Sequence, residues 1–214
     1  LMSNFVYGQD GPLMLLVMGV AIRFLGNAEN KSAAILALGA AKIHLFAPAG
    51  LWLWAGRRWS YARSLLAGGA FLFVVSVAAG GPAWLTAWTK AATSRAAAGD
   101  PETTMGIGNM ITLIAPDWLG WIASGALLGV SLLVFRRSAP ALGIALVPVI
   151  GILLTSHSFN YDVALCIPLV LIILENDYPF VLQSLAFAAC IPAIHLIPAP
   201  HPLRFSAQWL IPSL

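Results

Sequence analysis

The segment Thr155-Ser156-His157-Ser158-Phe159-Asn160-Tyr161-Asp162 places polar and ionisable side chains between two apolar runs. One run ends at Leu154, and the other covers residues 163–174. If both runs cross a bilayer, the segment lies at one membrane face, where His157 and Asp162 are costly unless they contact each other, a ligand or water. The alternative is an ordinary polar turn in which a serine or asparagine caps the next helix.

The composition of the chain indicates an integral membrane protein. Of its 214 residues, 60% are hydrophobic and only 9% are charged, whereas charged residues make up about 25% of a typical soluble domain. The formal net charge of +3 is small and the basic residues are spread over short loops, which argues against a nucleic-acid surface. Both cysteines, Cys166 and Cys190, lie inside apolar runs and predict neither a disulfide framework nor a metal site.

Seven apolar runs predict an all-α, polytopic transmembrane helix bundle with about six to seven membrane helices, folded as a single domain over residues 1–214. The runs are residues 12–25, 33–54, 64–79, 118–135, 139–154, 163–174 and 180–198. The first is short for a hydrocarbon core of about 30 Å, whereas the second is long enough to cross it. No signal-peptide pattern opens the sequence, and we expect the chain to be the carboxy-terminal part of a longer membrane protein.

Pairs of arginine residues set the predicted orientation of the bundle. The Arg57-Arg58 pair follows the second run and the Arg136-Arg137 pair follows the fourth, so both loops are predicted to be cytoplasmic. The long connection 80–117 and the segment 155–162 then share the outer side of the membrane. The connection begins with Trp84-Leu85-Thr86-Ala87-Trp88, a pattern typical of an amphipathic helix in the membrane interface.

The position of Gln9 and Asp10, which precede the first run, does not follow from these rules. Strict alternation of membrane crossings puts the pair on the cytoplasmic side, away from the outer connection. Either the pair belongs to a turn before a capped helix, or the first run and the start of the second form a half-membrane hairpin. The sequence leaves both possibilities open.

Lys42 and His44 lie inside the second apolar run, where an ionisable side chain is costly. Lys42 is far enough from the ends of the run that its ammonium group either snorkels to an interface or pairs with an anion, for which a lipid phosphate would be suitable. His44 is two positions further on, so on a regular helix it faces another direction, unless Pro48 distorts the turn. For His44, a satisfied core histidine is the alternative to a site residue.

The segment Met105-Gly106-Ile107-Gly108-Asn109-Met110 in the outer connection is predicted to be a re-entrant or interfacial loop, with Asn109 as its main hydrogen-bonding side chain. A plain connector is the alternative. The sequence contains no Walker-type or Rossmann glycine pattern, no Gly-x-Ser-x-Gly, no His-Glu-x-x-His and no CxxC motif. Soluble nucleotide chemistry and zinc hydrolysis therefore have no support, and we expect no cofactor.

Several short motifs together resemble the landmarks of one enzyme family. They are Gly8-Gln9, Ala40-Ala41-Lys42-Ile43-His44, Arg57-Arg58-Trp59, Asn109, and the corner formed by His157 and Tyr161-Asp162. Their order resembles that of the bacterial α-mannosyltransferase-like membrane glycosyltransferases of GT-C architecture, which use polyprenol-phosphate sugars. The sequence departs from that family at Ile43, where proline is common, and at Met110-Ile111, where glutamine and serine are expected.

The resemblance implies transfer of a sugar from a polyprenyl-phosphate donor to a lipid or glycan hydroxyl at the outer face of the inner (plasma) membrane, without a nucleic-acid partner. It implies a catalytic contribution from His157, in support of a carboxylate that removes the acceptor proton. Its substrate-binding residues would be Lys42, which offers charge to the phosphate, and Asn109, Tyr161, Asp162, His44 and Gln9. The carboxylate itself lies upstream in that family and has no counterpart in this sequence.

A membrane transporter or lipid-handling subunit without catalysis is the rival interpretation. In that case Lys42 and Asp162 would bind a substrate ion or a lipid headgroup. No clear inverted repeat relates the two halves of the sequence, which weakens the transporter interpretation without excluding it.

Overall fold

The structure, a computed structural model, describes residues 11–81, 83–92, 106–155 and 160–189. Every regular element in these ranges is a helix, and the ranges contain no β-strand. The predicted all-α class is thus confirmed for the part of the chain that the structure describes. The short connections between the helices indicate that consecutive elements are neighbours in space.

Eleven α-helices and two 3-10 helices make up the described residues. In chain order they are α1 (Gly11–Phe24), α2 (Glu29–Leu36), a first 3-10 helix (Ala37–Lys42), α3 (Ile43–Phe46), α4 (Ala49–Ala55), α5 (Trp59–Gly80), α6 (Ala83–Ala92), α7 (Ile107–Thr112), α8 (Asp117–Arg137), α9 (Pro140–Leu154), a second 3-10 helix (Asn160–Cys166), α10 (Ile167–Glu175) and α11 (Phe180–Ala189).

Two of the described helices, α5 and α8, are long and apolar enough to cross a membrane, and a bent pair of helices could count as a third span. The sequence predicted about six to seven. The difference arises because α1 and α9 have only 14 and 15 residues, whereas a straight span needs about 20.

Charged residues at both ends explain the limits of α8. Asp117 lies in its first turn, and Arg136 and Arg137 lie in its last turn. A carboxylate near the amino end and cations near the carboxyl end both interact favourably with the helix dipole. The next helix, α9, begins at Pro140, where the fixed φ of proline suits a first helical turn.

The second apolar run does not form one straight membrane helix. The chain bends by 105° between the arms Glu29–Phe46 and Ala49–Ala55, and Pro48 lies in the turn between them. Before the bend, the chain is a 3-10 helix from Ala37 to Lys42, a geometry that often marks strain or function inside a helix. The run that the sequence marks as long enough to cross is therefore a bent pair of helices, which together could still count as one span.

Hydrogen bonds place the beginning and the end of this bent segment at the same end of α5. At its beginning, Ser64 Oγ donates to Asn30 Oδ1 at 2.9 Å, and the hydroxyl groups of Ser32 and Tyr61 are 2.9 Å apart. At its end, the segment leads through a short turn directly into Trp59, the first residue of α5. We call residues 29–55 the hairpin; Lys42 lies in its first arm, close to the turn at residues 47–48.

The direction of α1 follows from its contact with the hairpin. Ser32 Oγ donates to the carbonyl of Ala21 at 2.7 Å, so the carboxyl end of α1 lies beside the open end of the hairpin. Gly11 is then at the opposite end of the bundle, because Ala21 and Gly11 are about 15 Å apart along the helix. Gln9 and Asp10 lie outside the described residues, so both alternatives for them stay predictions.

The central element of the bundle is α9, which contacts α1, α3, α4, α7, α8, α10 and the second 3-10 helix. Its buried side chains are Ile144, Ala145, Val147, Pro148, Ile150 and Ile152. Two glycines allow the closest contacts. The Gly143 backbone lies against the indole of Trp52, and the Gly151 backbone lies against the carbonyl of Leu45 in α3. A helix this apolar and this enclosed forms the core of the fold.

Adjacent glycines in α5 provide a matched test of the hairpin contact. A Cβ atom at Gly68 would lie 2.8 Å from the Ala37 Cβ, whereas a Cβ atom at Gly69 would meet nothing within 4 Å. We expect Gly68→Ala to lower the free energy of unfolding by about 1–3 kcal/mol. Gly69→Ala should leave it unchanged or slightly raise it, because alanine favours a helix over glycine.

The thermal unfolding midpoints of the two detergent-solubilised variants compared with wild type are the measurement. Equal midpoints for Gly68→Ala and Gly69→Ala would contradict the close contact between α5 and the hairpin.

Candidate functional site

A buried ion pair joins the two 3-10 helices. Lys42 Nζ donates to Asp162 Oδ1 at 2.6 Å, and the two residues are 120 positions apart in the sequence. Lys42 ends the first 3-10 helix, and Asp162 lies in the first turn of the second. The distance is that of a short, charge-assisted hydrogen bond. The hairpin and the polar segment after α9 therefore meet at these two side chains.

Both charged side chains are almost completely shielded from solvent. Lys42 is 9% exposed and Asp162 is 1% exposed. Removing two charges from water costs about as much as their attraction returns, so a buried ion pair contributes little net stability compared with an apolar pair. Ionisable groups in such a position commonly serve substrate binding or proton transfer. The burial of this pair therefore indicates that Lys42 and Asp162 have a functional role.

A cavity of about 340 Å³ lies between α7, the beginning of α8 and the end of α9. Its lining residues are Gly106, Gly108, Asn109, Thr112, Asp117, Gly120, Trp121, Ser124, Leu154 and Thr155. Most of the polar side chains in this set carry an amide, a hydroxyl or a carboxylate group. We call this space the α7–α8 cavity.

Two glycines let α7 approach α8 at the cavity. A Cβ atom at Gly120 would lie 2.8 Å from the Gly108 carbonyl oxygen, and a Cβ atom at Gly108 would lie 3.2 Å from Ser124 Oγ. Residues 105–110 were predicted to form a re-entrant or interfacial loop. In the structure, residues 107–112 of this segment form a short helix packed on α8, and its place relative to the membrane stays a prediction.

The carboxyl end of α9 connects the ion pair with the cavity. Gly151 lies against the carbonyl of Leu45, three residues after Lys42, while Leu154 and Thr155 line the cavity. Gly151 and Leu154 are only about 4.5 Å apart along the helix axis. The second 3-10 helix, which carries Asp162, also contacts α9. The ion pair and the cavity are therefore built on the same end of one helix.

A family model described as Glycosyltransferase family 87 matches residues 1–173. The chain belongs to glycosyltransferase family 87. Neither the search of the curated proteins nor the search of the solved structures found a match. The matched range includes Lys42, Asp162 and all residues of the α7–α8 cavity. The protein is thus a glycosyltransferase with membrane-type helices, as the sequence motifs predicted, and the rival interpretation without catalysis is not supported.

The structure brings together some of the predicted site residues of this glycosyltransferase. Lys42 contacts Asp162, so of the two alternatives for its ammonium group, pairing with an anion is confirmed and snorkelling is wrong. His44 is half-buried in α3 and follows the exposed Ile43, so it does not share the fully buried environment of Lys42. Asn109 lines the α7–α8 cavity.

Three predicted residues cannot be located in the same way. Gln9 and His157 lie outside the described residues, and Tyr161 is described only as a backbone position beside Asp162. Their roles in the glycosyltransferase stay predictions. Among the described residues, no three histidine, cysteine, aspartate or glutamate side chains lie together as metal ligands.

Sequence reasoning missed most of the α7–α8 cavity of the glycosyltransferase. The sequence places Asp117 at the end of the outer connection and Trp121 in a predicted membrane helix. Thr112 and Ser124 belong to no recognised motif. A spacing signal was present, because Asp117, Trp121 and Ser124 follow one another at intervals of four and three residues, which places them on one face of a helix. Nothing in the sequence indicated that α7 packs against that face.

Proposed function

We propose that the glycosyltransferase moves a sugar from a polyprenyl-phosphate donor to a hydroxyl group of a lipid or glycan acceptor at the extracytoplasmic face of the inner (plasma) membrane. The observation that carries this proposal is the buried Lys42–Asp162 ion pair beside the α7–α8 cavity. The mannosyltransferase-like subgroup and the GT-C architecture are part of the proposal, on the strength of the sequence motifs.

The distribution of arginine supports the outer location of the site. Arg57 and Arg58 precede α5, and Arg136 and Arg137 end α8, so these helix ends are expected on the cytoplasmic side. The α7–α8 cavity uses the opposite end of α8. The same reasoning puts the open end of the hairpin at the cytoplasm and its turn, close to Lys42, towards the outer half of the bilayer.

A multi-pass arrangement with about six to seven membrane helices is also proposed. α1, α9 and α10 are apolar but short, and they would cross with the help of their flanking turns and of local thinning of the bilayer. Exposed apolar side chains cover α5, among them Leu66, Phe71 and Val74. Such a surface suits contact with lipid.

The reaction requires charge stabilisation at the leaving group. The acceptor oxygen attacks the anomeric carbon of the donor, the bond from that carbon to the phosphate oxygen breaks, and polyprenyl phosphate leaves with the electron pair. The acceptor proton passes to a base. Lys42 would offer positive charge to the departing phosphate, and Asp162 would hold the ammonium group in position. The base would be a carboxylate, with help from His157.

The choice of donor is tested with the full-length protein in isolated membranes. We expect transfer of radiolabel from polyprenyl-phosphate mannose or another polyprenyl-phosphate sugar to an endogenous acceptor. No transfer is expected from the corresponding nucleotide sugar when synthesis of the lipid donor is blocked. Membranes without the protein are the control, and transfer that depends only on the nucleotide sugar would refute the proposed donor.

A further inference from the structure

We propose that the α7–α8 cavity binds the sugar ring of a carbohydrate acceptor, with the indole of Trp121 against one face of the ring and Asp117 bound to its hydroxyl groups. This inference rests on the proposed function, because it assigns the acceptor part of the same site. Neither Asp117 nor Trp121 belongs to the motifs through which the chain resembles its family.

The chemistry of the lining is that of a carbohydrate site. Asp117 is exposed towards solvent, and its carboxylate can accept charge-assisted hydrogen bonds from two neighbouring hydroxyl groups of a sugar. Asn109 adds a polar amide side chain to the lining. Trp121 is 79% exposed and presents a flat apolar surface with a polar N–H at its edge. An exposed tryptophan beside a carboxylate and an amide matches the apolar face and the polar rim of a pyranose ring.

Two hydroxyl groups extend the polar lining. Thr112 Oγ1 donates to the carbonyl of Asn109 at 2.9 Å, and Ser124 Oγ donates to the carbonyl of Gly120 at 2.9 Å. With its hydrogen engaged in this way, each oxygen presents lone pairs as acceptors. A sugar hydroxyl can therefore donate to either of them. Thr112 lies on α7 and Ser124 on α8, so the fold holds these two acceptor oxygens at fixed positions in the cavity.

The size and lining of the cavity favour a sugar over the hydrocarbon part of a substrate. Its volume of about 340 Å³ is at the lower end of the range of about 300–1,000 Å³ for ligand sites. A second cavity, on the surface of α1, has a different character. It is lined by Pro12, Leu15, Leu16, Gly19, Val20, Arg23 and Phe24. Only Arg23 in that set carries a polar side chain, so that surface offers few partners to the hydroxyl groups of a sugar.

The position of the cavity fits an acceptor. Leu154 and Thr155 line it at the end of α9, and the Gly151 backbone one turn earlier lies against Leu45 in α3, the helix that Lys42 directly precedes. The cavity and the ion pair are thus both built around the carboxyl end of α9.

The test compares two neighbouring tryptophans on α8 in the full-length enzyme. Trp121 lines the cavity, whereas Trp118 is also exposed but lies outside the lining. We expect Trp121→Ala and Asp117→Asn each to raise the KM for the acceptor by about tenfold or more, with little change in the KM for the donor. Hydrolysis of the donor by water should persist in both variants. Trp118→Ala should behave like wild type.

A binding measurement keeps this inference separate from the proposed donor. Saturation-transfer NMR of the detergent-solubilised protein with the methyl glycosides of mannose, glucose and galactose should give signals that Trp121→Ala removes and Trp118→Ala retains. That result would support the sugar site even if the donor were not a polyprenyl phosphate. The inference is overturned if Trp121→Ala keeps the wild-type KM for the acceptor, or if Trp118→Ala and Trp121→Ala have equal effects, as two interfacial anchors would.

Discussion

Replacing Lys42 by methionine in the full-length enzyme is expected to abolish glycosyl transfer and to lower the free energy of unfolding by about 3–5 kcal/mol. The loss of stability is expected because the Asp162 carboxylate stays 99% shielded after its ammonium partner, 2.6 Å away, is removed. The loss of activity is expected because the cation proposed to face the departing phosphate is removed. Lys31→Met, at an exposed position of the same hairpin, is the control and should change neither quantity.

The double variant Lys42→Met with Asp162→Leu separates stability from catalysis. Replacing both members of a buried ion pair by apolar residues of similar size is often neutral or stabilising, so the double variant should unfold close to the wild-type temperature. Its transfer activity should still be at background. Thermal unfolding and the radiolabel assay on the same preparations measure both quantities. A folded double variant with wild-type turnover would mean that the ion pair serves only the fold, and the proposed role of Lys42 would then be rejected.

Adding one methyl group at Gly151 is expected to destabilise the bundle by about 3 kcal/mol or more, at the upper end of the range for overpacked cores. Its Cβ atom would meet the backbone carbonyl of Leu45, and a backbone group cannot move aside as a flexible side chain can. Relief requires α3 to shift away from α9. Because Lys42 directly precedes α3, the shift would also disturb the ion pair, and activity should fall together with stability.

Gly129→Ala provides the control for this prediction. Gly129 lies in α8, and an added Cβ atom there would meet nothing within 4 Å, so we expect wild-type stability or a slight gain from the higher helix propensity of alanine. Unfolding midpoints and transfer rates of the two variants are the measurements. Wild-type stability of Gly151→Ala would contradict the direct packing of α9 against the hairpin.

The second apolar run shows what hydropathy alone does not predict. An apolar run from 33 to 54 has the length and composition of a membrane span. In the structure this run bends by 105°, and both of its ends lie beside the beginning of α5. Hydropathy reports which residues avoid water, and both arms of a hairpin inside an apolar bundle do so. The return of the chain is shown by two hydrogen bonds between the hairpin and α5, one of Asn30 with Ser64 and one of Ser32 with Tyr61. Such bonds join two distant segments, so the hydropathy of one segment does not predict them.

The candidate site was predictable in part. Lys42 and Asp162 stand out because each places a charge in or beside an apolar run, where burial is costly. Asn109 is the main hydrogen-bonding side chain of its segment and part of the resemblance to the family. Pairing Lys42 with Asp162 could not be derived, because the two residues are 120 positions apart and each had several possible partners.

The sequence by itself determined the all-α membrane class, the two long helices α5 and α8 with their arginine-rich ends, and the motifs of a glycosyltransferase. These properties depend on local composition, which acts along a single segment. Only the tertiary structure decided that the second apolar run is a hairpin, that Lys42 meets Asp162, and that α7 covers α8 to form a cavity with Asp117 and Trp121. Such features depend on which distant backbone segments can approach each other. Gly120 and Gly151 permit two of these approaches because glycine has no Cβ atom.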